Sequence, residues 1–251
     1  MKNSSVVSVL GLALVMSPIA NLQAAELKVL AGGSMTGSLN ELGPLFERAS
    51  GHKITIHYDS TPNLIKLATS GAPFDLGVVP VDVFKDAAAK ARFASGPTID
   101  IARVGYGVVV RAGAPKPDIG TPAAFKQALL KAQSITLLPD SAAGAYVLSV
   151  FERLGIGADM KAKTKPQTAP AQIAQAVARG DAELGLFLTN VLIAPGVELI
   201  GPFPAELQQD LVFTAAAAAN TTEAEAAKAF ITYLTTPAAT AVIKAKGMRP
   251  G

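Results

Sequence analysis

The chain contains no cysteine and no tryptophan, and it has only two histidines in 251 residues. Without cysteine there is no disulfide, no thiolate metal site and no thiol nucleophile. The two histidines, His52 and His57, flank one predicted strand five residues apart. Odd spacing on a strand sends side chains to opposite faces, which argues against a shared metal site and leaves a Ser–His–Asp triad little to draw on. Charge is also sparse: charged residues are 16% of the chain and the formal net charge of +3 is scattered. Its densest part, Lys161, Lys163 and Lys165, reads as a solvated loop. With neither a basic stripe nor interleaved aromatics, nucleic acid is excluded as a partner. No phosphate-binding Gly-x-x-x-x-Gly-Lys loop occurs, and Gly32-Gly33-Ser34-Met35-Thr36 lacks the last glycine of a nucleophile elbow.

Long apolar runs are missing too, except at the start. Lys2 precedes an apolar stretch from Val6 to Ala20, and small residues follow up to Ala24. This layout predicts a secretory signal peptide over 1–24, cleaved near Ala24, and hence export to the periplasm. The run is short for a spanning helix and has no stop-transfer flank, so a membrane anchor is the weaker reading. No cysteine follows it to carry a lipid. What remains is half hydrophobic, enough for a sizeable core in one large domain or two small ones.

Along that remainder strands and helices alternate. Glu26–Ala31, Lys53–Tyr58 and Phe74–Val79 read as strands. Helices are expected from about Thr36 to Ser50, from Pro62, and over Val81–Ala91. The alternation implies a largely parallel sheet with helices on both faces. Arg103–Arg111 reads as one long strand bent at its glycines. The pattern then restarts with helices opening at Thr121-Pro122, Ser141 and Pro170, and strands at Ile135–Leu138, Ala182–Leu188 and Val197–Ile200. Leu211–Ala217 reads as a returning strand before two C-terminal helices.

Three turns share one design, in which a strand ends, small or hydroxyl residues follow and a helix begins. They contain Ser34, Met35 and Thr36; Asp59, Ser60 and Thr61; and Ser141, Ala142, Ala143 and Gly144. Helix starts present unpaired N–H groups and a partial positive charge, so converging starts make an anion site. Each is equally compatible with an ordinary N-cap. Asp59 fits either a general base beside a ligand or a turn residue bonding its own backbone. Asn220-Thr221-Thr222 matches a glycosylation sequon and reads as a helix start.

The segments Ala31-Gly32-Gly33-Ser34-Met35-Thr36-Gly37-Ser38-Leu39, Gly51-His52-Lys53-Ile54-Thr55-Ile56 leading to Ser60, Ser70-Gly71-Ala72-Pro73-Phe74-Asp75-Leu76, Gly180–Gly185 and Pro195–Pro204 resemble the type II periplasmic binding proteins of the molybdate-binding kind. The resemblance spans essentially the whole chain after the leader. It implies two α/β lobes, each a mainly parallel sheet flanked by helices. The first lobe is expected over 26–102 plus 210–251 and the second over 103–209, with a ligand in the cleft between them. It also implies that Ser34 and Ser60 match the family's two hydroxyl positions and Ala142 or Ala143 its backbone donor. The family's tyrosine from the second lobe has no counterpart, because the matching segment reads Leu186-Phe187-Leu188-Thr189-Asn190. Leu188, Thr189 and Asn190 stand there instead, and Pro62 removes an N–H from the second turn.

The expected function is therefore a periplasmic solute-binding protein of an ABC-type importer, taking a small oxyanion such as molybdate or a small carboxylate. The same resemblance extends to a periplasmic aconitate isomerase, which gives the alternative: a cofactor-free isomerase of an unsaturated tricarboxylate, with Asp59 as base and Arg103 as cationic clamp. The expected partners are the small anion and the importer's membrane permease. No cofactor, no metal and a monomer are expected.

Overall fold

The computed structural model describes residues 24–96 and 98–251. The leader expected over 1–24 thus lies outside the described residues, apart from Ala24. Among the described residues no helix is long and apolar enough to cross a membrane.

The chain opens with β1 (Glu26–Gly32), α1 (Thr36–Ser50), β2 (Lys53–Asp59), α2 (Thr61–Thr69), β3 (Leu76–Pro80), α3 (Ala87–Lys90) and β4 (Ile99–Val104). It continues with β5 (Tyr106–Arg111), α4 (Pro122–Lys131), β6 (Ile135–Leu137), α5 (Ala142–Arg153), α6 (Gly157–Lys163), β7 (Thr164–Pro166), α7 (Pro170–Arg179), β8 (Leu184–Leu188), α8 (Thr189–Leu192) and β9 (Val197–Pro202). It closes with β10 (Leu211–Ala217), α9 (Ala224–Leu234), α10 (Pro237–Ala245) and β11 (Arg249–Pro250).

These strands form two sheets, ordered β11-β4-β10-β3-β1-β2 and β7-β6-β8-β5-β9. The architecture is α/β and two-lobed. The βαβ crossovers are parallel, with β1 beside β2 and β3, and β6 beside β7 and β8. Strands that carry the chain between lobes run antiparallel, as β10 does beside β3 and β4 and β5 does beside β8 and β9. Each sheet is therefore mixed, because a strand entering from the other lobe arrives without a crossover helix to turn it round. Two other local expectations change. The helix expected over Val81–Ala91 is a 3₁₀ turn, Val81–Lys85, followed by the short α3, because Asp86 caps Ala89 N at 2.8 Å and restarts the helix. The loop expected at Lys161, Lys163 and Lys165 holds the end of α6 and β7.

In the first lobe α1 and α9 pack together, with Phe46 meeting Phe230 and Tyr233 at ring separations of 4.9 and 5.4 Å. Beneath α2 and α3 a smaller cluster forms around Leu64, Phe74, Val79, Val83 and Phe93. The main core extends through the central strands of both sheets. At α5 the packing is close enough to demand glycine: a Cβ on Gly144 would stand 1.8 Å from the Leu138 carbonyl oxygen.

The chain passes between the sheets twice. The single strand expected over Arg103–Arg111 breaks at Gly105, so β4 stays in the first sheet and β5 enters the second. The Gly105 carbonyl accepts from Thr189 N at 3.0 Å, and a Cβ on Gly105 would press on the Gln208 amide at 3.1–3.3 Å. Gln208, on the return passage, accepts from Tyr106 N at 2.8 Å and donates to Tyr106 O at 2.9 Å. The Tyr106 ring is buried against Tyr146 and Phe203, at 4.7 and 5.7 Å. Burial, with smaller contributions from Asp82 and Tyr146, pushes its phenol well above the ordinary value, so the ring stays neutral. Truncating Gln208 strands the Tyr106 N–H in this setting, whereas Tyr106 O keeps its bond from Phe203 N at 3.0 Å. Gln208→Ala is expected to lower unfolding stability by about 2 kcal/mol, read as a reduced urea midpoint at unchanged slope.

Candidate functional site

Four helices begin at the cleft between the lobes. The start of α1 follows a 3₁₀ turn, Gly33–Met35, at the end of β1. Gly32 must be glycine there, since a Cβ would stand 2.7 Å from the Phe213 ring. The α2 start follows β2, the α5 start follows β6, and the α7 start follows β7. The last was not placed at the cleft from sequence, because the three-residue β7 carries no strand signal.

Two adjoining spaces lie here. A niche of about 20 Å³ is lined by Ser34, Asp59, Ser60, Thr61, Ser141, Ala142 and Ala143, among others. It opens on a chamber of about 570 Å³, whose walls add Thr36, Tyr58, Thr168–Ala171, Asn190, Val191, Ile193 and Lys246. Ser34, Asp59 and Ser60 line both.

The helix starts satisfy many of their own donors. At α5 the Ser141 hydroxyl accepts from Gly144 N at 2.9 Å and donates to Leu138 O at 2.8 Å, which is the work of an N-cap. Ala142 N donates across the cleft to Thr61 Oγ1 at 3.3 Å, so Ala143 keeps the remaining first-turn N–H. At α2, Asp59 Oδ1 accepts from Ser60 N at 2.7 Å and from Asn63 Nδ2 at 2.8 Å. Ser60 makes no side-chain cap hydrogen bond. At α7 the Gln172 side chain accepts from Thr168 N and Ala169 N at 3.0 and 3.1 Å. Thr36 donates its hydroxyl to Gly33 O at 2.7 Å. Among the donors left at the niche are the Ser34 and Ser60 hydroxyls and the Ala143 N–H, backed by the positive ends of the helix dipoles.

Other residues singled out from sequence are placed less centrally. Met35 is fully buried in the core, Leu188 likewise, and Thr189 packs on Gly107. Gly144 supports α5 from below. Asn190 alone of the 188–190 segment lines the chamber, and its Nδ2 donates to Ser34 O across the cleft at 2.8 Å. Arg103 is not brought to the cleft: it lies on β4, its guanidinium bonded to Asp100 at 2.8 Å.

Asp59 and Lys246 are the charged residues among those lining the chamber. Burial pushes the Asp59 carboxyl up, but hydrogen bonds from Asn63, Ser60 and His57 outweigh it and hold the pKa below the ordinary carboxylate value. His57 Nε2 stands 3.3 Å from Asp59 Oδ2. Tyr58 donates to Asn40 Oδ1 at 2.7 Å, and burial raises its phenol to about 12. Neither Tyr58 nor Lys246 carried a sequence signal. Among the described residues no group of three or more His, Cys, Asp or Glu is arranged to hold a metal ion.

Residues 27–249 match the family model described as bacterial extracellular solute-binding protein. An aconitate isomerase of a Pseudomonas species is 32% identical over 233 residues, covering 89% of this chain and 87% of that protein. The molybdate-binding protein ModA of Azotobacter vinelandii is 28% identical over 231 residues, covering 90% of each. The solved structure of the Azotobacter vinelandii periplasmic molybdate-binding protein superposes with a TM-score of 0.74 at 21% identity, over 90% of this chain and 99% of that one. The chain belongs to the bacterial extracellular solute-binding proteins.

Proposed function

We propose that the chain is exported to the periplasm, closes its two lobes around a small organic anion bearing a carboxylate, and delivers it unchanged to the membrane permease of an ABC-type importer. The observation that carries this reading is the divided cleft. The niche of about 20 Å³ has room for roughly one water-sized group. It admits one oxygen of an anion, and the rest of the ligand lies in the chamber. The chamber of about 570 Å³ falls in the range of sites for organic ligands. Its walls include the apolar side chains of Leu138, Val191 and Ile193. A neutral donor set of two hydroxyls and helix-start N–H groups, with no fixed countercharge in the niche, suits an anion that must be released again.

Asp59 separates this reading from a second one, which the 32% identity to an aconitate isomerase supports. An allylic isomerisation takes a proton from one carbon and returns one to another, so it needs a base. A carboxylate held below its ordinary pKa by three donors is a weak base. For plain binding, its negative charge only opposes the ligand.

Calorimetric titration of the protein lacking residues 1–24 against molybdate, tungstate, sulfate, phosphate, citrate, and cis- and trans-aconitate tests the ligand class. Carboxylates are expected to bind more tightly than the inorganic oxyanions, and the reverse order would refute the organic-anion reading. Replacing both Ser34 and Ser60 by Ala removes two hydrogen bonds to a charged group and is expected to weaken binding about a hundredfold.

Asp59→Asn keeps the acceptor for Ser60 N and removes the charge. Binding without chemistry predicts an affinity about three- to tenfold higher, with no interconversion of the aconitates by proton NMR. Interconversion by the native protein, lost in Asp59→Asn while binding persists, would establish the isomerase instead.

A further inference from the structure

Lys246 is the one cation among the described residues that line the chamber. It caps the C-terminal end of α10, and its hydrocarbon stem lies along the first turn of α1, where a Cβ on Gly37 would stand 3.9 Å from the lysine Cδ. Its ammonium reaches Glu41, one helical turn further on, at 2.8 Å. Both side chains are substantially exposed, at 39% and 47%. Water and salt screen such a pair, and it adds little stability. Glu41 therefore parks the ammonium without holding it strongly. Gly37 leaves the surface of α1 bare between Glu41 and the helix start, which is the end where Ser34 lines the niche.

We infer that Lys246 is the selectivity residue of the cleft. It leaves Glu41 to take the second carboxylate of a ligand whose first carboxylate enters the niche. The ligand class is then a di- or tricarboxylate with a short hydrocarbon body. The niche supplies neutral donors to one end, Val191 and Ile193 face the body, and Lys246 supplies a full charge to the other end. A monocarboxylate leaves Lys246 on Glu41 and gains only the niche. Glu41 sets the threshold, because any ligand has to compete with it for the ammonium. This assignment rests on the organic-anion reading above.

Calorimetric titration with a pair of matched probes, glutarate and butyrate, tests it in the native protein, Lys246→Gln and Glu41→Gln. The ratio of glutarate to butyrate affinity is expected to fall about tenfold in Lys246→Gln. In Glu41→Gln the same ratio is expected to rise about threefold, since the competitor is gone. The opposite signs guard against a merely structural effect, because a variant that loosens the fold weakens both probes together. An unchanged ratio in both variants would overturn the role of Lys246 while leaving the niche reading intact. Full retention of binding by the Ser34/Ser60 double alanine variant would overturn the niche itself, whatever the Lys246 ratio.

Discussion

The two hydrogen bonds between the Gln208 side chain and the backbone of Tyr106 tie both passages of the chain into a single strap. The hydroxyl of Ser60 comes from one lobe and the N–H of Ala143 from the other, so their separation is set by how the lobes are joined rather than by either sheet. A side-chain amide bonded to both the N–H and the carbonyl of one residue resists sliding and still permits rotation. Gly105 lets that amide lie flat against the first passage. The tilted rings of Tyr146, Tyr106 and Phe203 pack beside these part-buried bonds.

The electrostatics of the cleft invert a simple expectation. Four helix starts converge, yet Ser141, Asp59 and Gln172 already bond much of what those starts offer. A pocket of bare N–H groups would hold its anion tightly and release it slowly. Here the helices contribute direction through their dipoles, and a few neutral donors contribute contact. The carboxylate of Asp59 further reduces the attraction.

Much of this was legible in the sequence. The alternating pattern identified the βαβ segments, and the strand–hydroxyl–helix turns marked Ser34 and Ser60. The three hydroxyl turns could not be ranked from sequence, because an N-cap and a ligand donor are the same residue in the same place. What separates them is whether the hydroxyl is engaged by its own helix: Ser141 accepts from Gly144 N as a cap, whereas Ser60 makes no cap hydrogen bond. Lys246 was illegible for another reason. It sits at the end of α10, and only the packing of α10 on α1 brings it to the chamber. Asn190 was singled out with Leu188 and Thr189, and the end of β8 turned just one of the three to the cleft. Arg103–Arg111 reads from sequence as one strand beside an expected lobe boundary at 102/103, since nothing local tells a kinked strand from one shared between two sheets.

Contacts across the cleft include a firm hydrogen bond from Asn190 to Ser34, a long one from Ala142 to Thr61, the Pro170 ring over Gly33, and Ile193 over Gly247. A proline ring on a glycine slides apart without breaking a hydrogen bond. Under the proposed binding role, a ligand bonded to both lobes adds its own contacts to these and favours the shut form by that difference. On that proposal residence time becomes a property of the cargo, and a weakly held compound would escape before a permease is met.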